Sequence, residues 1–311
     1  MLEQFLFVEK YRPKCIADTI LPANLKSTFQ NFIDQKNIPN LILSGSAGIG
    51  KTTVARAMLE ELGCDYIILN GSLNAGMDTL RNDIASFAST VSFSGGRKYV
   101  IIDEADYLNH HVQPALRNFM EEFSRNCGFI LTCNFKNKII SPLHSRCSVI
   151  DFVIPNNMKA KLAGQFFKRV IKILDIEKIK YEENVVAEVI NKYFPDWRRV
   201  LNELQRYSVN GSIDSGILTN FQDLSIKEIF GFCKTKDYDS IRKWISENSD
   251  QDSSAIFESV YNNAEQYMQK RSIPELIVIL SDYQYKAAFV ADRELNIMAA
   301  LVEVMSGVKF K

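Results

Sequence analysis

The sequence lacks several features that would point to a particular class of protein. Lysine plus arginine and aspartate plus glutamate both number 37, so net charge gives no support for a nucleic-acid partner, although a basic channel can be local. The six cysteines stand far apart and form no C-x-x-C pair. This excludes zinc-site spacing and suits reduced thiols in the cytoplasm. The chain also contains no internal repeat and no low-complexity tract.

Segments for export or membrane insertion are missing as well. The N-terminal stretch MLEQFLFVEKYRP places acids within a short apolar run, which disfavours a signal peptide. No apolar run is long enough to cross a bilayer, so no membrane partner is expected. Hydrophobic residues make up 46% of the 311 positions, enough to bury a sizeable core. The composition therefore predicts a soluble cytoplasmic protein of two or three domains.

The stretch LILSGSAGIGKTT, residues 41–53, carries the clearest motif. An apolar run predicts a buried strand, a glycine-rich loop follows, and a helix is predicted from Thr53. This is a complete G-x-x-x-x-G-K-T match in the strand–loop–helix setting that it requires, and such a loop cradles phosphates with backbone N–H groups. We expect Lys51 to neutralise the β- and γ-phosphates and Thr52 to hold Mg²⁺. The predicted nucleotide-binding residues of this loop are Gly45, Ser46, Ala47, Gly48, Ile49, Gly50, Lys51, Thr52 and Thr53.

A second motif, YVIIDEAD at residues 99–106, ends an apolar strand in two adjacent acids. Asp103 is predicted to hold Mg²⁺, and Glu104 to polarise an attacking water as general base. Acids at a strand end are common, but together with the phosphate loop they indicate hydrolysis rather than nucleotide storage. Asn134 follows the strand predicted over 128–132 and is expected to orient the same water.

Strands and helices alternate through residue 153, which predicts an α/β nucleotide domain with a parallel sheet. After Pro155 the pattern becomes helical, and a polar glycine-containing stretch at 211–223 marks a second boundary. The predicted domains are a nucleotide-binding domain at 1–153, a small helical lid at 154–222 and an all-helical collar at 223–311.

Six segments resemble the AAA+ clamp loaders in order and spacing. They are EKYRP (9–13), GSAGIGKTT (45–53), IIDEAD (101–106), LTCN (131–134), SRC (145–147) and PDWRRVLNEL (195–204). This family includes the replication factor C small subunits and the phage loaders. The short chain, and PDWR in place of a GDMR-type sequence, most resemble the ATPase subunit of a tailed-phage clamp loader. A phage-encoded protein of this kind would act in the cytoplasm of the host cell.

The resemblance implies a subunit that hydrolyses ATP with Mg²⁺, stimulated by DNA and clamp. It would open a sliding clamp and place it on primer–template DNA during DNA replication. The implied partners are the clamp, the DNA and other loader subunits, in a hetero-pentameric open ring with a smaller non-ATPase subunit.

The resemblance also assigns roles to single residues. Asn134 would be the first sensor, and Arg198 would be the second sensor in the lid. Tyr11 and Arg12 would flank the adenine. Arg146 would be the arginine finger that reaches a neighbouring subunit's γ-phosphate, and Gln113 would couple adjacent modules. From the residues themselves, Pro13 predicts that Tyr11 and Arg12 lie in an extended arm. Arg146 has no acid close in sequence to pair with.

Contacts with the clamp and with DNA are less well defined by the sequence. Tyr107, Leu108 and Val112 fit either a clamp-binding surface or local packing under the next helix, with nearly equal weight. Ala75 stands where the family usually has a basic residue that touches DNA. The substitute candidates for phosphate contact are Arg81, Arg97, Lys98 and the KNK run at 136–138, and a solvated basic face is the commoner role for each.

Two other function classes fit part of this pattern. One is a different AAA+ motor, a helicase or helicase loader acting on DNA, which would work without a clamp. The other is a scaffold that binds ATP only structurally. Glu104, Asn134 and Arg146 together disfavour the scaffold, because a scaffold has no use for hydrolytic groups.

Overall fold

The computed structural model describes residues 5–72, 77–90, 92, 96–109, 112–209, 211–214, 226–247, 253–287, 289–290 and 292–311. The chain divides into two compact units, Met1–Ile217 and Leu218–Lys311. Within the described ranges, no helix has both the length and the apolar character needed to cross a bilayer.

A five-stranded parallel sheet forms the centre of the first unit, as the alternating pattern predicts. Its strands are β1 (Leu41–Ser44), β2 (Tyr66–Asn70), β3 (Lys98–Asp103), β4 (Cys127–Cys133) and β5 (Ser148–Asp151). They lie in the order β2-β3-β4-β1-β5, and every neighbouring pair is parallel. All seven residues of β4 are buried, as expected for a central strand covered on both faces. Because β1 lies beside β4 and β4 beside β3, the segments that follow these strands meet at one edge of the sheet.

Helices cover both faces of this sheet and enclose two apolar cores. They are α1 (Phe7–Lys10), α2 (Ala23–Asp34), α3 (Lys51–Leu62), α4 (Met77–Ser89), α5 (Val112–Glu122) and α6 (Ser141–His144). The helix after the phosphate loop begins at Lys51, two residues before the predicted start, because Gly50 adopts a left-handed conformation and serves as its N-cap. Gly63 ends the same helix at φ 64, a conformation that glycine adopts without strain.

The prediction of an extended arm is wrong at Tyr11, whereas the helix does end before Pro13 as the sequence requires. Residues Phe7–Lys10 form α1, and Tyr11 closes it at φ −105 and ψ 19. Pro13 restricts only the residue before it, so it does not prevent a helical turn further upstream. Phe7 is buried, and its N–H donates to Gln205 Oε1 at 2.8 Å, which anchors the turn.

The described part of the predicted lid region, residues 154–209 and 211–214, is helical with one short two-stranded pair. It contains α7 (Lys159–Ile176), β6 (Lys180–Tyr181), α8 (Glu183–Tyr193), α9 (Trp197–Ser208) and β7 (Ser212–Ile213). Asp196 caps α9, since its Oδ1 accepts the Arg199 N–H at 2.9 Å. The Trp197 ring lies against Phe166 of α7 with centroids 4.4 Å apart, which ties the start of α9 to α7.

The described part of the second unit is built from helices, in agreement with the predicted collar pattern. They are α10 (Ile226–Thr235), α11 (Tyr238–Glu247), α12 (Ser253–Tyr267), α13 (Ile273–Lys286) and α14 (Arg293–Gly307). Their apolar faces share one core that includes Ile241, Leu276 and Leu301. Asp292 caps α14 by accepting the Leu295 N–H at 3.0 Å.

Candidate active site

The phosphate loop connects β1 to α3 through two glycines in the left-handed region. Gly48 has φ 68 and Gly50 has φ 103, conformations that side chains with a Cβ rarely adopt. A Cβ on Gly48 would stand 1.7 Å from Asp196 Oδ1. Only glycine therefore allows the loop to approach the start of α9 so closely.

Lys51 lies at the start of α3 and is 8% exposed. Its ammonium donates to the carbonyl oxygens of Gly45 and Ser46 at 2.7 and 2.8 Å and to Asn134 Oδ1 at 2.8 Å. Burial lowers the pKa of Lys51, while the negative charge of Asp103 acts in the opposite direction. The loop lysine and the asparagine after β4 are thus brought into direct contact.

Asp103, at the end of β3, faces the first turn of α3. Its Oδ1 accepts hydrogen bonds from Thr52 Oγ1 at 2.6 Å and from Thr132 Oγ1 at 2.5 Å. A carboxylate beside a threonine hydroxyl is an oxygen-rich pair of the kind that Mg²⁺ prefers. Thr132 is buried within β4, and no role was predicted for it because it lies inside an otherwise apolar strand.

Glu104 adopts a left-handed backbone conformation, φ 55 and ψ 43. This is uncommon for residues other than glycine and is typically found at functional sites. Its N–H donates to Thr132 Oγ1 at 3.2 Å, so the same hydroxyl contacts both acids of the predicted pair. The backbone turns at Glu104 immediately after the strand ends.

Asp106 fixes the segment that follows β4. Its carboxylate is buried, and Oδ2 accepts the N–H groups of Asn134 and Phe135 at 3.2 and 3.1 Å. Asp106 is the last residue of the IIDEAD segment, and no spacing rule marked it for a role. The backbone position of Asn134 is therefore set by a second acid of the same motif.

A cleft runs from the phosphate loop to the lid helices. It is lined by the loop residues Gly48 to Thr53, by Tyr11 and Arg12, and by Arg198 of α9. Gly45, Ser46 and Ala47 are not among its lining residues in the described part of the chain. Lining residues that the sequence analysis missed include Ile20, Leu21, Phe166, Arg169, Trp197 and Leu201. Hydrophobic periodicity marked Phe166, but that pattern does not distinguish a core face from a ligand-binding face. Trp197 and Leu201 lie in the quoted PDWRRVLNEL segment without a role of their own, and nothing in the sequence marked Arg169.

Hydrogen bonds hold the N-terminal segment between the loop and the lid. Tyr11 donates from its hydroxyl to Glu177 Oε1 at 2.5 Å, and its carbonyl accepts from Arg169 Nη2 at 2.9 Å. Arg12 donates from Nη1 to Thr53 Oγ1 at 3.2 Å and forms an ion pair with Glu9. Both predicted adenine contacts therefore lie at the cleft, one fastened to the lid and the other to the loop.

Arg146 lies away from this cleft and is not among the described residues that line it. It follows α6 and pairs with Glu121, 25 residues earlier in sequence, near the end of α5. Arg146 therefore has an acidic partner in the folded subunit, although none was found near it in sequence. The hydrogen bond from Arg146 lowers the pKa of the Glu121 carboxyl below its ordinary value.

Gln113 links α5 to the segment between β4 and α6. Its side chain is buried, and Nε2 donates to the carbonyls of Leu108 and Lys138 at 3.2 and 3.0 Å. Its Oε1 accepts the Ile140 N–H at 2.8 Å. Each of these bonds joins Gln113 to a residue outside its own helix.

The surface predicted for clamp contact divides into buried and exposed residues. Leu108 and Val112 are 4% and 3% exposed, so local packing accounts for both. Tyr107 is 57% exposed, and Phe135, which the sequence analysis did not select, is 55% exposed. The Lys138 ammonium lies 5.4 and 5.0 Å from the centroids of these two rings. We call Tyr107, Phe135 and Lys138 the aromatic surface.

The proposed role of Lys98 in DNA contact is wrong in this structure. Lys98 is 4% exposed, and its ammonium donates to the Phe87 carbonyl and to Thr90 Oγ1. Arg97 likewise donates to the carbonyls of Ser124 and Cys127, both at 3.1 Å. These basic side chains tie the sheet to its helices. Ala75 lies outside the described residues, whereas Arg81 and residues 136–138 are exposed.

The parallel sheet, the loop lysine and the acids at the end of β3 together define the class of this protein, a P-loop ATPase of the AAA type. Residues 41–154 match the model of the ATPase family associated with various cellular activities. Residues 158–219 match the model of the sliding-clamp-loader large subunit, AAA+ ATPase lid domain. A structure of the Thermotoga maritima RuvB Holliday junction branch migration motor has a TM-score of 0.55 at 20% identity, over 74% of this chain and 79% of that one, a likeness of fold alone.

Proteins of similar sequence define the family more narrowly than the likeness of fold does. The chain is 33% identical to the sliding-clamp-loader large subunit of Escherichia phage RB69, over 99% of this chain and 98% of that protein. It is 39% identical to the same subunit of Enterobacteria phage T4, over 77% of each. It is 35% identical to the replication factor C small subunit of Sulfurisphaera tokodaii, over 68% of this chain and 64% of that protein. The chain therefore belongs to the sliding-clamp-loader large subunit family, as an ATPase of DNA replication.

Proposed function

We propose that the cleft binds ATP together with Mg²⁺. The observation that supports this most directly is the set of hydrogen bonds that joins Lys51 to Asn134 and Thr52 to Asp103. Thr52 and Asp103 would hold the Mg²⁺, which neutralises charge on the phosphate oxygens. Lys51 and the loop N–H groups bind the phosphates, since they bring positive charge and donors to one place.

The remaining site residues divide between binding and hydrolysis. Glu104 acts as the general base for water, and Asn134 orients that water. Arg198, exposed on the lid side of the cleft, contacts the phosphates, and Tyr11 and Arg12 flank the adenine. Glu177 and Arg169 of the lid form hydrogen bonds with Tyr11. Adenine bound beside Tyr11 therefore lies where the N-terminal segment is attached to the lid.

Arg146 acts on the nucleotide of a neighbouring subunit. Its position outside the cleft of its own subunit supports this role, as does the fit of a planar guanidinium to a phosphate. The subunit then works in a hetero-pentameric open ring with a smaller non-ATPase subunit, in the cytoplasm of the phage host. Gln113 couples adjacent modules, and the chain functions as three domains at 1–153, 154–222 and 223–311.

In this ring, ATP binding opens the sliding clamp and grips primer–template DNA, and hydrolysis leaves the clamp on the DNA. The aromatic surface contacts the clamp, because exposed aromatic side chains are typical anchors of protein interfaces. Of the exposed basic residues outside the aromatic surface, Arg81 and Lys136 are the candidates for DNA phosphate contact.

ATPase measurements on the assembled complex test this proposal. The rate is measured with primed DNA alone, with the sliding clamp alone and with both. We expect a stimulation by both together that exceeds the sum of the separate effects. A rate that depends on DNA but ignores the clamp would favour a helicase or helicase loader instead.

A further inference from the structure

The guanidinium of Arg146 is held by four hydrogen bonds. Nε and Nη2 donate to the same oxygen of Glu121, Oε1, at 2.8 and 2.5 Å. Nη1 donates to the Pro142 carbonyl at 3.0 Å and to Ser145 Oγ at 3.2 Å. All three nitrogens are therefore engaged, and α5 together with α6 and its C-cap residue Ser145 fixes the plane of the group.

Glu121 contacts a second arginine on the same surface. The Nε of Arg117, one turn earlier in α5, lies 3.6 Å from Glu121 Oε1. Arg117, Glu121 and Arg146 are 44%, 52% and 30% exposed at their side chains. One carboxylate thus lies between two exposed guanidinium groups, which would repel each other without it. The local charge of this set is positive, as a phosphate-binding surface requires.

Stability of the subunit does not explain this arrangement well. An ion pair at such exposure contributes little to folding, because water screens it and two long side chains must be ordered. The apolar contacts of α5 are supplied by other residues of that helix, including Leu116 and Phe119. What the bonds do achieve is a single orientation for an otherwise flexible arginine, and orientation matters most for a group that must meet a transition state.

We infer that Glu121 is the positioning residue of Arg146: it holds the guanidinium in a fixed plane at the subunit surface, ready to meet the nucleotide of the next subunit. This inference rests on the proposed role of Arg146 in trans. In this proposal Glu121 acts only through Arg146, so it is a positioning residue and not a catalytic one.

A double-mutant cycle tests the inference. Glu121→Gln, Arg146→Ala and the combined variant are compared in the assembled complex, with Glu122→Gln as the matched control on the neighbouring exposed acid. Glutamine keeps the size of the side chain but loses the charge that pairs with arginine. We expect Glu121→Gln to lower kcat by roughly 10-fold, less than the loss of the finger itself, with KM, nucleotide affinity and ring assembly unchanged.

The combined variant gives the decisive comparison. If Glu121 acts only through Arg146, then Glu121→Gln causes no further loss of kcat in the Arg146→Ala background. A general structural role would instead give additive losses and weaker assembly. Additive losses, an equal loss in Glu122→Gln, or an unchanged or increased kcat in Glu121→Gln would each overturn the inference. An unchanged kcat in Arg146→Ala alone would contradict the proposed trans role first, and this inference with it.

Discussion

Lys51 and Asn134 are joined by a hydrogen bond of 2.8 Å between Nζ and Oδ1, although 83 positions separate them in sequence. The bond connects the first turn of α3 to the residue that follows β4. An ammonium has three N–H donors, and Lys51 uses them on Asn134 and on the carbonyls of Gly45 and Ser46. A phosphate oxygen therefore competes with Asn134 for the same donors, which couples phosphate binding to the position of the asparagine.

Substitutions at the two ends of this bond should have different effects. Lys51→Ala removes the only loop ammonium, and we expect ATP affinity to fall by about 10²-fold, since hydrogen bonds to charged groups are strong. Asn134→Ala leaves Lys51 in place, so affinity should change less than about 10-fold while hydrolysis falls. Titration with a fluorescent nucleotide and a steady-state ATPase assay give the two values.

Asn31→Ala provides the control for Asn134, because Asn31 is the same residue type, is exposed in α2 and has no proposed role. Near-normal nucleotide affinity in Lys51→Ala would rule out the phosphate-loop assignment. Equal losses of affinity in Lys51→Ala and Asn134→Ala would show that Asn134 binds phosphate rather than orienting water.

Glu104→Gln should separate binding from hydrolysis. Glutamine preserves the shape of the side chain, and the Glu104 N–H still has Thr132 Oγ1 as its acceptor, so the strand end keeps its conformation. We expect ATP affinity to persist while kcat falls by about 10² to 10⁴, the usual contribution of a general base. The complex should then remain bound to clamp and DNA in pull-down experiments. Loss of ATP binding in this variant would refute the role of Glu104 as base.

The aromatic surface gives a test of clamp contact that does not disturb the core. Tyr107→Ser combined with Phe135→Ser removes two exposed rings, and we expect clamp affinity to fall roughly 30-fold with ATP affinity unchanged. Leu108→Ser is the contrasting variant, since Leu108 is buried in the apolar core. It should lower the free energy of unfolding by about 2 to 5 kcal/mol, seen in thermal or denaturant melts. Unchanged clamp affinity in the double variant would place the interface elsewhere.

The sequence was informative where function depends on short spacing. Gly50, Lys51 and Thr52 are consecutive, and Asp103 ends an apolar strand, so motif and strand pattern together predict their roles. In a parallel sheet the carboxyl ends of the strands share one edge, so the strand pattern predicts that Asp103 and Asn134 lie at the same edge as the loop. The strand order, which makes β4 the neighbour of β1, is known only from the structure.

Side-chain contacts between distant segments could not be predicted in this way. Glu121 pairs with Arg146 only because α5 and α6 pack together, and neither helix pattern specifies that register. Lys98 has the sequence character of a surface cation, yet its long side chain reaches the end of α4 and is buried there. Phe135 was missed because one aromatic residue after a strand carries no periodic signal.

The most direct test of the account is the mixing of two inactive variants. Lys51→Ala lacks the nucleotide site, and Arg146→Ala lacks the finger, so each assembled alone should hydrolyse little ATP. A finger is worth about 10³ to 10⁵ in rate, so even a small fraction of restored interfaces is measurable. When the two variants are assembled together, some interfaces pair an intact loop with an intact arginine. We predict that ATPase activity returns in the mixture. In a separate measurement, the activity per wild-type subunit should rise with protein concentration as rings assemble. If activity does not return at any mixing ratio and the activity per wild-type subunit does not change with concentration, action in trans is contradicted.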